Sequence, residues 1–176
     1  MKEIVGKNID ENTIEEIKRK DSYNKGMNIA LNYLGYGMKT EKEIVDKLKS
    51  KEIEEDYISL VIEKLKSYKY IDDELYTKTY IKTKAIPKGW GLQKIISTLY
   101  SKGIDKNMIE KIYIPLISYE ENNDNIKEIA LKKWKSFPEN MEIRKRKEKL
   151  TRFLLSKGHN WEKINEVFAY IEKNSE

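Results

Sequence analysis

The chain contains no cysteine. Disulfides, thiolate metal sites and cysteine nucleophiles are therefore excluded, and a reducing compartment is the natural setting. Chain breakers are scarce as well, with three prolines and eight glycines in 176 residues. No run of about 18 apolar residues occurs, and the N-terminus carries no signal-type apolar stretch, so neither a membrane span nor export is indicated. We read the chain as cytoplasmic. What is present fits that reading: hydrophobic residues make up 39% and charged residues 37%, the profile of a soluble, helix-rich protein rather than a disordered one. The length suffices for one large domain or for several small units sharing a core.

One segment is short of acid. Residues 75–118 hold eight basic and two acidic side chains, against six and six in 1–27, eight and eleven in 28–74, and thirteen and eleven in 119–176. The net charge of +5 is thus concentrated in the middle of the chain, where it suits an anionic partner, either nucleic acid or an acidic protein surface.

A short phrase occurs three times: "LKSKEIE" from Leu48, "LYSKGID" from Leu99 and "LLSKGHN" from Leu154. Sliding the chain by the same offsets aligns more than the phrase. Ile44, Ile95 and Leu150 share a column, as do Ile58, Ile109 and Ile164, then Val61, Ile112 and Val167, then Ile62, Tyr113 and Phe168. This is an internal repeat. Within each copy the apolar residues stand three and four apart, as in Ile58, Val61, Ile62 and Leu65, which places them on one helical face. Gly103 and Gly158 mark a turn where a positive φ can end the first helix, and Asp105, Asn160 and, in the first copy, Glu54 occupy the expected N-cap of the next. The recurring serine and lysine stabilise the helix end, the lysine through the helix dipole. A further helix precedes each hinge, marked by Met27, Ala30, Leu31 and Leu34 in the first copy, by Tyr76, Tyr80 and Ile81 in the second, and by Ile126, Ile129, Ala130 and Trp134 in the third. Thr40 with Glu43 has the form of a capping box.

The expected fold is therefore all-α: three tandem three-helix repeats forming an elongated, curved body. We divide the chain into an N-terminal segment 1–23, the remnant of a longer extension, and repeats over 24–70, 71–118 and 119–176.

Catalytic chemistry has few candidates. His159, the only histidine, lies in the column of Ile53 and Ile104 and reads as a packed hinge residue rather than a general base. Asp72, Asp73 and Glu74 are consecutive at a helix start, where carboxylates have a dipole and amide reason to be, so capping is favoured over a metal site. No phosphate-binding loop occurs, and "GWG" lacks the strand and spacing of a dinucleotide motif. We read the chain as a non-enzyme without metal or cofactor.

Binding has better ones. Lys78, Lys82, Lys84, Lys88 and Lys94 surround the "PKGWG" linker, with Tyr80 and Trp90 interleaved. Lysines beside aromatic planes can hold phosphates while bases stack. For Tyr80 the stronger reading is core packing; Trp90, between two glycines, is open to a contact role or plugs the junction between repeats. A second cluster is Arg144-Lys145-Arg146-Lys147 with Lys149 and Arg152, which serves equally as a solvated helix face or as a phosphate contact. Trp134 and Phe153 read as core.

The stretches "ALNYLGYGMKTEKEIVDKLKSKEI" and "YIDDELYTKTYIKTKAIPKGWGLQKIISTLYSKGI" resemble the RecX family of regulators of the RecA recombinase. The resemblance runs from about Asn24 to Tyr170. It implies the same fold of three tandem three-helix repeats, and a monomer that binds the RecA–single-stranded DNA filament in its groove and opposes strand exchange, ATP turnover or filament growth. The partner-binding residues expected on this basis are Lys78, Lys82, Lys84, Lys88, Trp90, Lys94, Arg144, Arg146 and Arg152. Lys84 and Lys94 keep charge where members often carry arginine or another basic residue, but lysine lacks the bidentate fork. Tyr76 replaces a small apolar residue. The rival readings are an autonomous DNA-binding helical protein and a protein-only adaptor.

Overall fold

The computed structural model describes residues 11–117 and 120–174, and every regular element among them is helical. The first triplet is α1 (Glu11–Leu34), α2 (Glu41–Lys49) and α3 (Glu55–Ser67). The second is α4 (Asp73–Tyr80), α5 (Leu92–Ser101) and α6 (Lys106–Ile117). The third is α7 (Glu120–Lys135), α8 (Ile143–Ser156) and α9 (Trp161–Asn174). The chain forms two compact units, one ending at Asp72 and the other starting at Asp73. The first triplet has its own core in the first unit, and the second and third triplets form two cores in the second.

The repeated phrase is one C-terminal cap made three times. After α2, α5 and α8 the chain turns through a positive φ at Glu52 (58°), Gly103 (86°) and Gly158 (85°). The next residue then donates its N–H back to the carbonyl of Leu48, Leu99 or Leu154, at 3.2, 3.1 and 3.2 Å respectively. This satisfies a carbonyl that the helix end would otherwise leave without a partner. The shared serine contributes too: Ser50, Ser101 and Ser156 each donate Oγ–H to the carbonyl three residues earlier, at 2.7, 2.8 and 2.7 Å. Helix starts follow the same economy. Thr40 and Glu43 form a complete capping box, Asp105 accepts from the amides of Asn107 (2.9 Å) and Met108 (3.2 Å), and Asn160 accepts from Lys163 (3.0 Å). Glu54 holds the N-cap position by its extended backbone alone, with no side-chain bond.

Core columns follow the repeat. Ile44, Ile95 and Leu150 are fully buried, as are Leu48, Leu99 and Leu154. Leu31 departs from expectation: it is 40% exposed, and the buried face of α1 runs instead through Gly26 and Ala30, with Tyr23, Met27 and Leu34 packed beside them. Gly26 lets α1 approach α3 closely, since a Cβ there would sit 3.3 Å from Val61 Cγ2. Two features went unforeseen. The helix of α1 already runs from Glu11, through much of the expected N-terminal segment. Beyond Tyr80, α4 widens into a π-helical turn, Ile81–Ala85, then tightens into a 3-10 turn, Ile86–Lys88, before Gly89 (φ 61°) reverses the chain. The carboxylates of Asp73 and Glu74 lie in the first turn of α4.

Candidate functional site

The residues around Trp90 form a ladder of rings edged by ammonium groups. Tyr76 and Tyr80 are four apart on α4 and stack at 6.0 Å with planes 17° apart, as the helical period dictates. Trp90 reaches the same face because Gly89 turns the chain and the Trp90 amide donates to the Ala85 carbonyl at 3.0 Å. Its indole lies 6.4 Å from Tyr80. Lys88 Nζ stands 5.2 Å and Lys94 Nζ 5.8 Å from the indole centre, and Lys102 Nζ stands 5.8 Å from that of Tyr76. All three rings are half-buried and pack against the core of the second repeat, so core packing and a contact edge coexist in the same side chains. Such a strip offers planes for stacking beside charges for phosphate or carboxylate.

The five lysines of this region do not share one site. Lys88 and Lys94 flank Trp90. Lys84 is exposed on the π-helical turn. Lys78 and Lys82 lie on another side of α4, where together with Lys111 they border a groove of about 660 Å³ against α6. Residues two apart on a helix point in nearly opposite directions, so Lys78 cannot join the face of Tyr76.

The linker is also where the second and third repeats meet. The Gly91 amide donates to the Lys157 carbonyl at 2.8 Å, Lys157 Nζ donates to the Lys88 carbonyl at 2.7 Å, and His159 Nε2 donates to the Gly89 carbonyl at 2.9 Å. Gly91 and Gly158 pack backbone to backbone: a Cβ on Gly91 would fall 2.4 Å from the Gly158 carbonyl oxygen. The flanking glycines thus hold the junction, while the indole between them turns toward Tyr80. Burial holds the His159 pKa below the ordinary histidine value, with Lys163 and Lys157 acting in the same direction and the Gly89 bond opposing. His159 is a hinge residue satisfied by a backbone carbonyl.

On α8 the basic cluster divides. Arg144, Lys147 and Arg152 line an open depression with Thr151 and Trp161. Glu148 sits between the arginines, 3.4 Å from Arg144 and 3.8 Å from Arg152. Arg146 points elsewhere: its guanidinium donates to the Pro138 carbonyl and lies 5.9 Å from the Trp134 ring. Its Nε is buried with no hydrogen-bond partner among the described residues. Sequence reasoning overlooked Trp161, which is 61% exposed. A signal was available, since the same column carries Glu55 and Lys106, so an aromatic there is the odd one out. Lys102 and Lys111 were passed over as well.

Comparison with known proteins supplies the family. Models described as the RecX first, second and third three-helix domains match residues 27–65, 72–111 and 120–168 in that order. The regulatory protein RecX of Clostridium acetobutylicum is 36% identical over 171 residues, covering 94% of this chain and 78% of the relative. That of Finegoldia magna is 33% identical, covering 90% of this chain and 78% of the relative. Among solved structures, RecX from Lactobacillus salivarius superposes with a TM-score of 0.75 at 33% identity, covering 87% of this chain and 98% of that one. A second crystal structure of regulatory protein RecX gives 0.81 at 29% identity, covering 93% and 81%. With its three-helix units matched in order and relatives this similar along nearly its whole length, the chain belongs to the RecX family of regulatory proteins.

Proposed function

We propose that this chain is a non-enzymatic regulator that binds the RecA–single-stranded DNA filament in its groove and lowers its ATP turnover, strand exchange or growth. It works in the cytoplasm as a monomer, with the repeats 24–70, 71–118 and 119–176 as its units behind the segment 1–23. The observation that carries the reading is the match of the three helical units to the three RecX domains in order. The surface chemistry supports it. Lys88, Lys94 and Lys102 around the Tyr76–Tyr80–Trp90 ladder, with Arg144 and Arg152 on α8, suit an anionic filament of protein and DNA.

The test is RecA's DNA-dependent ATP hydrolysis during titration with this protein, with binding to the same single-stranded DNA measured in parallel without RecA. Inhibition at protein levels too low to coat the bare DNA is the expected result. Inhibition only once the DNA is saturated reduces the protein to a competing DNA binder, and no inhibition leaves an adaptor for something else. The variant carrying Lys88→Glu and Lys94→Glu should inhibit less, with helical content unchanged and a shallower dependence on salt. Unaltered inhibition by that variant removes the Trp90 strip from the interface.

A further inference from the structure

The second repeat leaves apolar surface uncovered that its sister repeats bury. Ile112 shares a column with Val61 and Val167, both fully buried, and Leu116 shares one with Leu65 and Ile171, which are at most 1% exposed. Ile112 and Leu116 themselves are only half-buried, and with Met108 they floor the groove between α4 and α6. The cause is local. α4 has eight α-helical residues where α1 has 24 and α7 has 16, so less helix lies over the third helix of its own repeat.

The rim of that groove is cationic. Lys78, Lys82 and Lys111 border it, and among the described residues none of the three ammonium groups is held in an ion pair. Glu74 at one end is the single acidic residue in the lining. No aromatic ring lines the groove, in contrast to the Trp90 strip, so it offers charge and aliphatic surface but no plane on which a base could stack. At about 660 Å³ it falls within the ordinary size range of ligand sites.

We infer that the α4–α6 groove is a docking site for an acidic protein segment that also carries apolar side chains. Carboxylates meet Lys78, Lys82 and Lys111, while the apolar side chains cover Ile112 and Leu116 and complete the burial achieved inside the other two repeats. This is helix-groove recognition with charge at the rim. It deepens the proposed function, and rests on it only for the identity of the partner. The groove takes the protein component of the filament and the Trp90 strip takes its DNA.

The experiment uses the full chain and a short fluorescein-labelled peptide alternating Glu with Leu, followed by anisotropy. Saturable binding is expected. It should weaken by about tenfold or more in the variant with Lys78→Glu, Lys82→Glu and Lys111→Glu, all exposed positions whose reversal leaves the helical content intact. A second peptide with Ser in place of Leu should bind the unaltered protein at least about tenfold more weakly, which tests the apolar floor without touching the fold. Absence of saturable binding by the Glu–Leu peptide overturns the inference. Equal binding of the Glu–Ser peptide also overturns it, since charge alone would then suffice, as does displacement by oligothymidine, which would make the site one for nucleic acid. The RecA ATPase titration separates the two conclusions. Peptide binding without ATPase inhibition removes the regulator reading and keeps the groove, whereas inhibition without peptide binding does the reverse.

Discussion

Replacing Gly91 by Ala adds one methyl group where there is no room for it. The backbone at Gly91 is extended (φ −82°), so alanine meets no intrinsic strain, and the whole effect arises from contact. The new Cβ would lie 2.4 Å from the Gly158 carbonyl oxygen, 2.7 Å from its carbon and 2.9 Å from the His159 nitrogen. These are backbone atoms of a capped helix end and cannot rotate aside, so the loop must lift from the third repeat. Three hydrogen bonds cross there: Gly91 to Lys157 at 2.8 Å, Lys157 to Lys88 at 2.7 Å and His159 to Gly89 at 2.9 Å. At roughly 1 kcal/mol net each, with room for partial relaxation, the loss is about 2 to 4 kcal/mol. Urea unfolding read by tryptophan fluorescence is the assay. The three tryptophans, Trp90, Trp134 and Trp161, all lie beyond Asp73, so the signal reports the second unit alone. With a slope of about 2 kcal/mol per molar urea, the midpoint should fall by roughly 1 to 2 M. A fall under about 0.3 M would refute the view that backbone contact fixes this junction.

Glu52→Gly should stabilise the first repeat by about 0.5 to 1 kcal/mol, because Glu52 alone of its column places a Cβ at positive φ; thermal unfolding of the first unit checks this. Arg146→Ala should cost about 1 to 2 kcal/mol through the Pro138 carbonyl and the Trp134 ring, while Arg144→Ala on the exposed face should leave stability within about 0.5 kcal/mol; matching losses in denaturation would show the two arginines to be equivalent. His159 has its folded pKa depressed, so the unfolded chain binds the proton more readily. Its contribution to stability is therefore complete above the unfolded value near 6.5 and is lost as pH falls through the folded value. His159→Gln, which can still donate to Gly89, should flatten the stability profile between about pH 7 and pH 5, and an unchanged slope would exclude this residue as its source.

Much of the fold was legible because the repeat made the sequence its own control. A column holding Ile44, Ile95 and Leu150 says core without any structure, and a phrase ending in Gly103 or Gly158 says helix end. Columns fix which face a residue takes but not how much helix covers it, so Ile112 read as core although α4 is too short to bury it. The lysine cluster was misjudged for a related reason. Closeness along the chain put Lys78 beside Trp90, while helical rotation sent it to the other side of α4. Arg146 was indistinguishable from Arg144 as a letter, and only the position of Trp134 and Pro138 in space separates a pinned guanidinium from an exposed one. The contact of Gly91 with Gly158 joins residues 67 positions apart, and no local pattern announces it.

The π-helical turn at Ile81–Ala85 sets a helical phase. A π turn accommodates one residue more than the α-helix spends on the same circuit, and such turns are tolerated where the surplus positions something downstream. Removing any single residue from this turn would let α4 run on as an ordinary helix, rotating all that follows by about 100° and drawing it back by about 1.5 Å. Trp90 would leave Tyr80, and Gly91 would miss the cap at Gly158. A deletion that improves the local hydrogen bonding of the helix would therefore undo the joint between two repeats, which makes the length of this segment a stricter constraint than the identity of its exposed residues.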